Sequence, residues 1–211
     1  MHVLVIGATG GIGQETLKSA LSDGLKVRAF SRSSDQIQIS NPKLEKYSGN
    51  ALHSEEITEA LDGIDVVIQA LGVKINELFK PINIFSESTK ILISAMEHKG
   101  IKRLITVTGF GAGDSRKAIS CLQQLPFQFL LGRAYADKDI QERIIKESQL
   151  EWTIIRPGVL TNGKFSGKYK VLTEPFEWRN GIISRADVAH FIVSQLGKKE
   201  YVRLSPVLIN R

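Results

Sequence analysis

The sequence GATGGIG at residues 7–13 holds four glycines and follows directly on the apolar run VLVI at residues 3–6. A short, continuous apolar run of this kind is typical of a strand that is buried on both faces. Residues 14–21 come next and carry Leu17, Ala20 and Leu21 at helical spacing. The beginning of the chain therefore predicts a strand, a tight glycine-rich turn and a helix.

The same alternation of apolar runs and helical patterns continues along the chain. We predict strands at residues 3–6, 27–30, 44–47, 66–68, 104–107, 152–155 and 202–209. We predict helices at residues 14–21, 54–61, 84–97, 135–148 and 185–196, and an irregular stretch at residues 109–132. Strands that alternate with helices pair in parallel through right-handed crossovers. The pattern therefore predicts an α/β fold, a Rossmann-type doubly wound parallel sheet. We expect residues 1–211 to form a single domain, in which a small C-terminal extension, residues 160–211, completes the substrate side.

Composition and charge limit the kinds of partner. The 211 residues carry 28 Lys and Arg against 22 Asp and Glu, a net charge of +6, and one cysteine. A basic balance favours anionic partners, but basic and aromatic residues are not interleaved as they are in nucleic-acid-binding proteins. A single cysteine excludes an intrachain disulfide, and no apolar run reaches the ~18 residues of a membrane span. We therefore expect a cytoplasmic protein whose partner is neither a membrane nor a nucleic acid. Its oligomeric state, monomer or homodimer, does not follow from these features.

The glycine-rich turn has the composition of a diphosphate-binding loop. Gly7 can form the tight turn, Gly10 can allow a diphosphate close to the backbone, and Gly13 can let the helix pack on the sheet. The N-terminus of the following helix then offers free N–H groups and the positive end of its dipole. We therefore predict dinucleotide binding; the alternative is a glycine-rich turn with a structural role alone.

Further segments carry a resemblance to a known family. They read VVIQALG at residues 66–72, ITVTG at 105–109, WTIIRPG at 152–158 and ISRADVA at 183–189. With these motifs the chain resembles the atypical short-chain dehydrogenase/reductase group. Within it, the chain is similar to the NAD(P)H-binding proteins of the NmrA-like and flavin reductase (biliverdin-IXβ reductase) type. The resemblance covers nearly the whole chain and is specific for the family more than for one reaction.

The end of the second predicted strand bears on the choice of cofactor. It reads AFSRSS at residues 29–34 and lacks the acid that usually binds the ribose 2′-OH of NAD. Arg32, with Ser31 beside it, suits a 2′-phosphate, because a guanidinium offers a planar fork of donors. Arg28 is a second candidate on the adenine side, and Asp35 comes too late to replace the missing acid. We predict NADP(H) in preference to NAD(H); the alternative is a solvated basic turn.

The resemblance also implies a fuller set of cofactor contacts. Residues after the third strand would flank the adenine, residues after the fourth would line the ribose and diphosphate, and the WTIIRPG turn would close the nicotinamide side. Asn50 stands where the family often has Asp, and its amide can still hydrogen-bond the base. The predicted cofactor site is Gly7, Thr9, Gly10, Gly11, Ile12, Gly13, Ser31, Arg32, Asn50, Ala51, Ala70, Leu71, Gly72, Thr108, Lys138, Pro157, Gly158 and Val159.

Three residues are candidates for catalysis. Typical short-chain dehydrogenases use Tyr-x-x-x-Lys, in which the lysine lowers the pKa of the tyrosine. Here Tyr135 and Lys138 are one residue closer, although this spacing still shares a helix face. The segment at residues 136–148 resembles atypical members in which Lys138 falls near the nicotinamide. Thr108 ends the fifth strand, and its hydroxyl is a candidate donor to a substrate carbonyl or flavin. The alternatives are a capping hydroxyl for Thr108 and a half-buried aromatic for Tyr135.

We expect an NADP(H)-binding oxidoreductase that transfers hydride to a planar small-molecule acceptor such as a flavin, quinone or carbonyl compound. The first alternative is a non-catalytic NADP(H) sensor of the NmrA type, which binds a protein partner. A nucleotide-sugar epimerase fits less well, because Tyr-x-x-x-Lys is missing and the C-terminal part is short. The four histidines lack metal-ligand spacing, so we expect no metal site. The apolar sequence at residues 125–131 is predicted to lie in a loop, as a packed lid, a pocket wall or a partner surface.

Overall fold

The computed structural model describes residues 1–73, 82–119 and 121–210. Its helices are α1 (Gly11–Ser22), α2 (Ser54–Ala60), α3 (Ile84–His98), α4 (Cys121–Glu147) and α5 (Arg185–Ser194). Its strands are β1 (His2–Ile6), β2 (Lys26–Ser31), β3 (Leu44–Ser48), β4 (Val66–Gln69), β5 (Arg103–Val107), β6 (Glu151–Pro157), β7 (Val159–Thr161), β8 (Tyr169–Leu172), β9 (Ile182–Ser184) and β10 (Val207–Asn210). Short 3-10 turns lie at Ser34–Gln36, Gly113–Ala118 and Pro175–Glu177.

Within the described residues, eight strands form one sheet in the order β3-β2-β1-β4-β5-β6-β10-β8. Neighbouring strands pair in parallel, except that β8 lies antiparallel to β10. The strand order reverses between β1 and β4, and open α/β sheets bind ligands at the carboxyl ends of the strands at such a point. The predicted Rossmann-type doubly wound α/β fold is confirmed.

Helices cover both faces of this sheet. Val3 and Val5 of β1 join one apolar core, in which α1 and α5 pack. Leu4 and Ile6 join the other core, in which α2, α3 and α4 pack. Alternate side chains of a strand point to opposite faces. The uninterrupted apolar run at the start of the chain is therefore explained by a strand that has a core on each side.

Helix α4 is much longer than the sequence predicts. It begins at Cys121, whereas residues 109–132 were expected to be irregular and residues 125–131 to lie in a loop. That prediction was wrong because Pro126 and Gly132 disfavour a helix interior, yet both fall within the span of α4. The side chains of residues 121–130 lie outside the described part of the structure, and so does most of the lid, wall or partner surface predicted for residues 125–131. Leu131, the last residue of that segment, is described and lines the cavity at the carboxyl ends of the strands.

The C-terminal part extends the same sheet. β10 pairs in parallel with β6 and antiparallel with β8, while β7 and β9 form a separate parallel pair. Two predicted elements are shorter than expected, since α5 ends at Ser194 and β10 begins at Val207. None of the helices in the described part of the chain combines the length and the apolar character that crossing a membrane requires.

Candidate functional site

A cavity of about 1070 Å³ lies at the carboxyl ends of β1, β2, β4 and β5. Its volume lies just above the usual range of about 300–1,000 Å³ for small-molecule sites. The residues that line it are Ile6, Gly7, Thr9, Gly10, Gly11, Ile12, Phe30, Ser31, Arg32, Ser33, Gln36, Gly49, Asn50, Ala51, Ala70, Leu71, Gly72, Val73, Ile84, Phe85, Val107, Thr108, Leu131, Ala134, Tyr135, Lys138, Leu160 and Arg185. The structure thus brings together the predicted cofactor and catalytic residues, apart from Gly13, Pro157, Gly158 and Val159.

The glycine loop needs its first and last glycines for structural reasons. Gly7 has φ +86°, and a methyl group on it would come within 2.6 Å of the Ala70 carbonyl oxygen. A methyl group on Gly13 would collide with the backbone of Gly7 and Ala8. These contacts confirm the predicted tight turn at Gly7 and the predicted close packing at Gly13. They also explain why Gly13 supports the cavity without lining it.

The middle of the loop faces the cavity and has room for a ligand. Gly10 precedes α1 with an extended backbone, and no side chain caps the helix. The first N–H groups of a helix have no partner within the helix itself. These N–H groups and the positive end of the helix dipole form a cradle that suits an anion.

The backbone N–H groups of residues 158 and 159 are engaged in hydrogen bonds within the sheets. Gly158 N–H donates to Leu208, and Val159 N–H donates to Gly181. A methyl group on Gly158 would collide with the Gly181 carbonyl, so this glycine is required by the close approach of two strands. The residue near this segment that lines the cavity is Leu160.

At the far end of the cavity, Arg32 is exposed and forms no ion pair with the described residues, whereas Ser31 is buried. Ser31 Oγ accepts a hydrogen bond from Ser33 N–H at 3.3 Å. Asp35, the first acid after this strand in the sequence, lines a separate open depression beside Lys46. Among the described residues, the cavity wall therefore has a free guanidinium and no carboxylate at the end of the second strand.

The role considered for Arg28 on the adenine side was wrong. Its Nη1 donates to the carbonyl oxygens of Ala60 and Asp62 at 2.7 and 2.9 Å. Its Nε lies 3.0 Å from a carboxylate oxygen of Glu45. These partners engage Arg28 away from the cavity.

Asn50 lies on the cavity wall in a fixed orientation. Its Oδ1 accepts a hydrogen bond from Leu52 N–H at 3.1 Å, and its amide nitrogen lies 3.2 Å from His53 Nε2. Its backbone N–H donates to Glu56 at 2.6 Å, and this bond, followed by one from His53, lowers the pKa of Glu56. The side chain is therefore held by the turn that follows β3.

At the opposite end, one face of α4 presents Tyr135 and Lys138 to the cavity. Burial lowers the pKa of Lys138 to about 8, against the opposing charges of Glu142 and Asp137. Burial, followed by the charge of Glu142, raises the pKa of Tyr135 to about 12. This is the reverse of the typical Tyr-x-x-x-Lys pair, so Lys138 is the better proton donor near neutral pH.

The position of Lys138 depends on its neighbours on α3. Its Nζ lies 4.2 Å from the centre of the Phe85 ring. The backbone N–H groups of Phe85 and Ser86 donate to Asp137 at 2.9 and 3.3 Å, and the Ser86 hydroxyl donates to it as well. The carboxylate of Asp137 thereby caps α3 and fixes the ring against which the lysine lies.

Thr108 lies at the cavity edge, but its proton is already engaged. Its hydroxyl donates to Glu142 Oε1 at 2.8 Å. The lone pairs of the Thr108 oxygen, rather than a donor, are therefore left for a ligand. The predicted donor role of this hydroxyl does not agree with the hydrogen bonding in the structure.

Sequence reasoning assigned no role to Arg185, which also lines the cavity. It is the first residue of α5, where a cation opposes the helix dipole. This unfavourable placement is a signal in the sequence that can identify the residue. Among the described residues, no group of three or more His, Cys, Asp or Glu side chains is arranged to hold a metal ion.

Comparisons with known proteins agree with this geometry. A family model described as NAD(P)H-binding matches residues 7–199. A Bacillus subtilis protein described as an uncharacterized sugar epimerase, YhfK, is 31% identical over 204 residues, which cover 94% of this chain and 89% of that protein. A solved structure of ChuY, described as an anaerobilin reductase from Escherichia coli, is 26% identical with a TM-score of 0.81, and the match covers 100% of this chain and 97% of that one.

A short-chain dehydrogenase/reductase from Veillonella parvula, solved in complex with NADP, is 18% identical with a TM-score of 0.85 and covers 99% of this chain and 94% of that one. At this identity the likeness shows the shared fold alone. The family model spans most of the chain and includes the glycine loop. The resemblance to atypical short-chain dehydrogenases/reductases is confirmed, and the protein belongs to the NAD(P)H-binding family.

Proposed function

We propose that the protein is an NADP(H)-dependent reductase that transfers hydride to a planar small-molecule acceptor such as a flavin, quinone or carbonyl compound. The observation that carries this proposal is the buried Lys138, with a pKa of about 8, in the wall of the cavity that also holds the glycine loop. A dinucleotide site and a proton donor thus share one cavity.

The chain's own residues fit the cofactor. The uncapped N-terminus of α1 suits a diphosphate, and the free guanidinium of Arg32 suits a 2′-phosphate. When bound, the nicotinamide supplies the hydride. Arg32 and the absence of an acid from the described cavity wall support NADP(H) in preference to NAD(H).

Lys138 supplies the proton that a carbonyl or quinone oxygen needs when it is reduced. A general acid works best when its pKa lies near the working pH, and a pKa of about 8 meets this condition. Once the proton has left, the buried site favours the neutral amine. Tyr135, with a pKa of about 12, stays a neutral phenol and can orient the acceptor by hydrogen bonding.

A relative supports the class of reaction. ChuY, at 26% identity, is described as an anaerobilin reductase. The acceptor class that we propose for this chain is broader, and it rests on the cavity and on Lys138.

The description of YhfK favours a sugar epimerase as the second candidate. Epimerases of the short-chain dehydrogenase type need a tyrosine that readily loses its proton, and the raised pKa of Tyr135 opposes this. A non-catalytic NADP(H) sensor is the third candidate, since the roles proposed for the glycine loop and Arg32 require cofactor binding and no turnover.

Cofactor choice is tested by titrating wild type, Arg32→Ala and the exposed control Arg143→Ala with NADPH and NADH. We expect Arg32→Ala to weaken NADPH binding by roughly 1.5–3 kcal/mol and to leave NADH binding and the control unchanged. An equal loss for both cofactors would contradict the assignment of Arg32.

Reaction class is tested by following NADPH oxidation with FMN, menadione and a panel of aldehydes and ketones. We expect turnover with at least one acceptor. Tight NADPH binding without any turnover would support the sensor, and conversion of a nucleotide sugar without net NADPH consumption would support the epimerase.

We also propose that the protein acts in the cytoplasm, as a monomer or homodimer. The single cysteine agrees with a reducing compartment. Cell fractionation and size-exclusion chromatography test these two points.

A further inference from the structure

Arg185 is a cation without a described counter-charge. None of the ion pairs formed by the described residues includes it. The carboxylate of Asp187, the acid in the same turn of α5, instead accepts hydrogen bonds from Ser166, Gly167 and Ser184. A positive charge at a helix N-terminus is unfavourable unless an anion lies near it.

The guanidinium of Arg185 lies directly on the glycine loop. A methyl group on Gly11 would come within 2.6 Å of Arg185 Nε, so the side chain packs against the first residue of α1. Arg185 Nη1 donates to Asn162 Oδ1 at 2.7 Å. The neutral amide of Asn162 fixes the orientation of the guanidinium and leaves its charge uncancelled.

We propose that Arg185 binds the diphosphate of the dinucleotide as a second anchor beside the first-turn N–H groups of α1. The proposal rests on the proposed function, because it assumes that the cavity takes a dinucleotide. The uncapped N-terminus of α1 and the guanidinium at the start of α5 converge on this part of the wall. An arginine fork can form two parallel hydrogen bonds to a phosphate, and a diphosphate neutralises the converging positive charge.

The test compares ligands that differ in the diphosphate. Wild type, Arg185→Gln and the exposed control Arg179→Gln are titrated with NADPH, NADH and adenosine 2′-monophosphate, which carries the 2′-phosphate but no diphosphate. We expect Arg185→Gln to weaken NADPH and NADH alike, by about 10- to 100-fold, because a charged hydrogen bond is lost. The affinity for adenosine 2′-monophosphate and every affinity of the control should stay at the wild-type value.

A second variant covers the case in which Arg185→Gln does not fold. Asn162→Asp keeps the arginine but gives it a carboxylate partner, so we expect NADPH and NADH both to bind more weakly. Thermal melts establish that each variant is folded.

Unchanged NADPH and NADH affinities in a folded Arg185→Gln or Asn162→Asp protein would overturn the proposal. An equal loss of affinity for adenosine 2′-monophosphate would also overturn the proposal, because it indicates a general effect of charge or structure. A loss of affinity confined to NADPH would overturn it as well. A wild-type protein that binds neither dinucleotide would contradict the proposed function itself, which separates the two failures.

Discussion

The Thr108 hydroxyl at the end of β5 donates a hydrogen bond to Glu142 Oε1 on α4 at 2.8 Å. The same carboxylate accepts hydrogen bonds from Nε and Nη2 of Arg156 at 3.0 and 2.5 Å. Arg156 is fully buried, and its Nη2 also lies 2.5 Å from Asp114. One buried carboxylate therefore holds the cavity threonine and balances a buried guanidinium.

We expect Glu142→Gln to lower the free energy of unfolding by about 3 kcal/mol. Removing one partner of a buried pair leaves the other charge uncompensated, and the remaining Asp114 places the loss at the lower end of the usual range. Chemical denaturation measures the change, with the exposed Glu147→Gln on the same helix as the control. Equal stability of the two variants would show that the buried cluster contributes little.

We expect the rate of carbonyl or quinone reduction to fall as the pH rises through about 8. Lys138 has its pKa lowered to about 8, so it is protonated and able to donate below that pH and neutral above it. The pH profile of kcat with saturating NADPH measures this. Lys138→Met should abolish the pH-dependent component, whereas the exposed control Lys117→Met should retain it. A flat profile in the wild type would exclude Lys138 as the acid.

We expect Lys138→Met to stabilise the fold at pH 7 by about 3 kcal/mol. The pKa of Lys138 is lower in the folded protein, about 8, than its ordinary 10.5, so the unfolded chain binds the proton more tightly. The resulting penalty is fully present below pH 8 and disappears as the pH rises toward 10.5. Urea denaturation of both proteins at several pH values should therefore show a difference that narrows between pH 8 and pH 10. A difference that does not depend on pH would contradict this origin.

We expect substitution of Gly10 to impair cofactor binding and substitution of Gly13 to lower the stability of the fold. Gly10 has an extended backbone, and a Cβ there would meet Gly7 O at 3.2 Å, so Gly10→Val should fold but block the approach of a diphosphate. Gly13→Ala should lower stability by roughly 1–3 kcal/mol, because its methyl group collides with backbone.

Thermal melts and NADPH titration of both variants separate these effects. Gly132→Ala is the control, because a Cβ there meets no atom within 4 Å. Unchanged NADPH affinity in Gly10→Val would show that the loop does not bind the diphosphate.

Much of the fold and part of the site follow from local sequence. The apolar run of β1, the glycines after it and the helical spacing in α1 are properties of adjacent residues, so their structure is predictable from the sequence. The ends of β1, β2, β4 and β5 then meet at one edge because parallel strands must align there. For this reason Arg32 and Thr108 are predictable as cavity residues, whereas Lys138, which lies on α4, was identified through the resemblance to atypical family members.

The start of α4 was not predictable in the same way. Pro126 and Gly132 are unfavourable in a helix by local propensity, and tertiary context routinely overrides that preference. The misplaced role of Arg28 has a related cause, since its partners on β3 and at the C-terminal end of α2 become neighbours only when the sheet forms.

The sequence by itself determined the doubly wound sheet, the glycine loop and the absence of an acid after β2, because each depends on residues close together in the chain. Tertiary structure alone decided which way the Thr108 proton points, how far burial lowers the pKa of Lys138, and that Arg185 lies on Gly11. Those properties arise from contacts between distant segments and from the exclusion of water. Neither exists until the chain has folded.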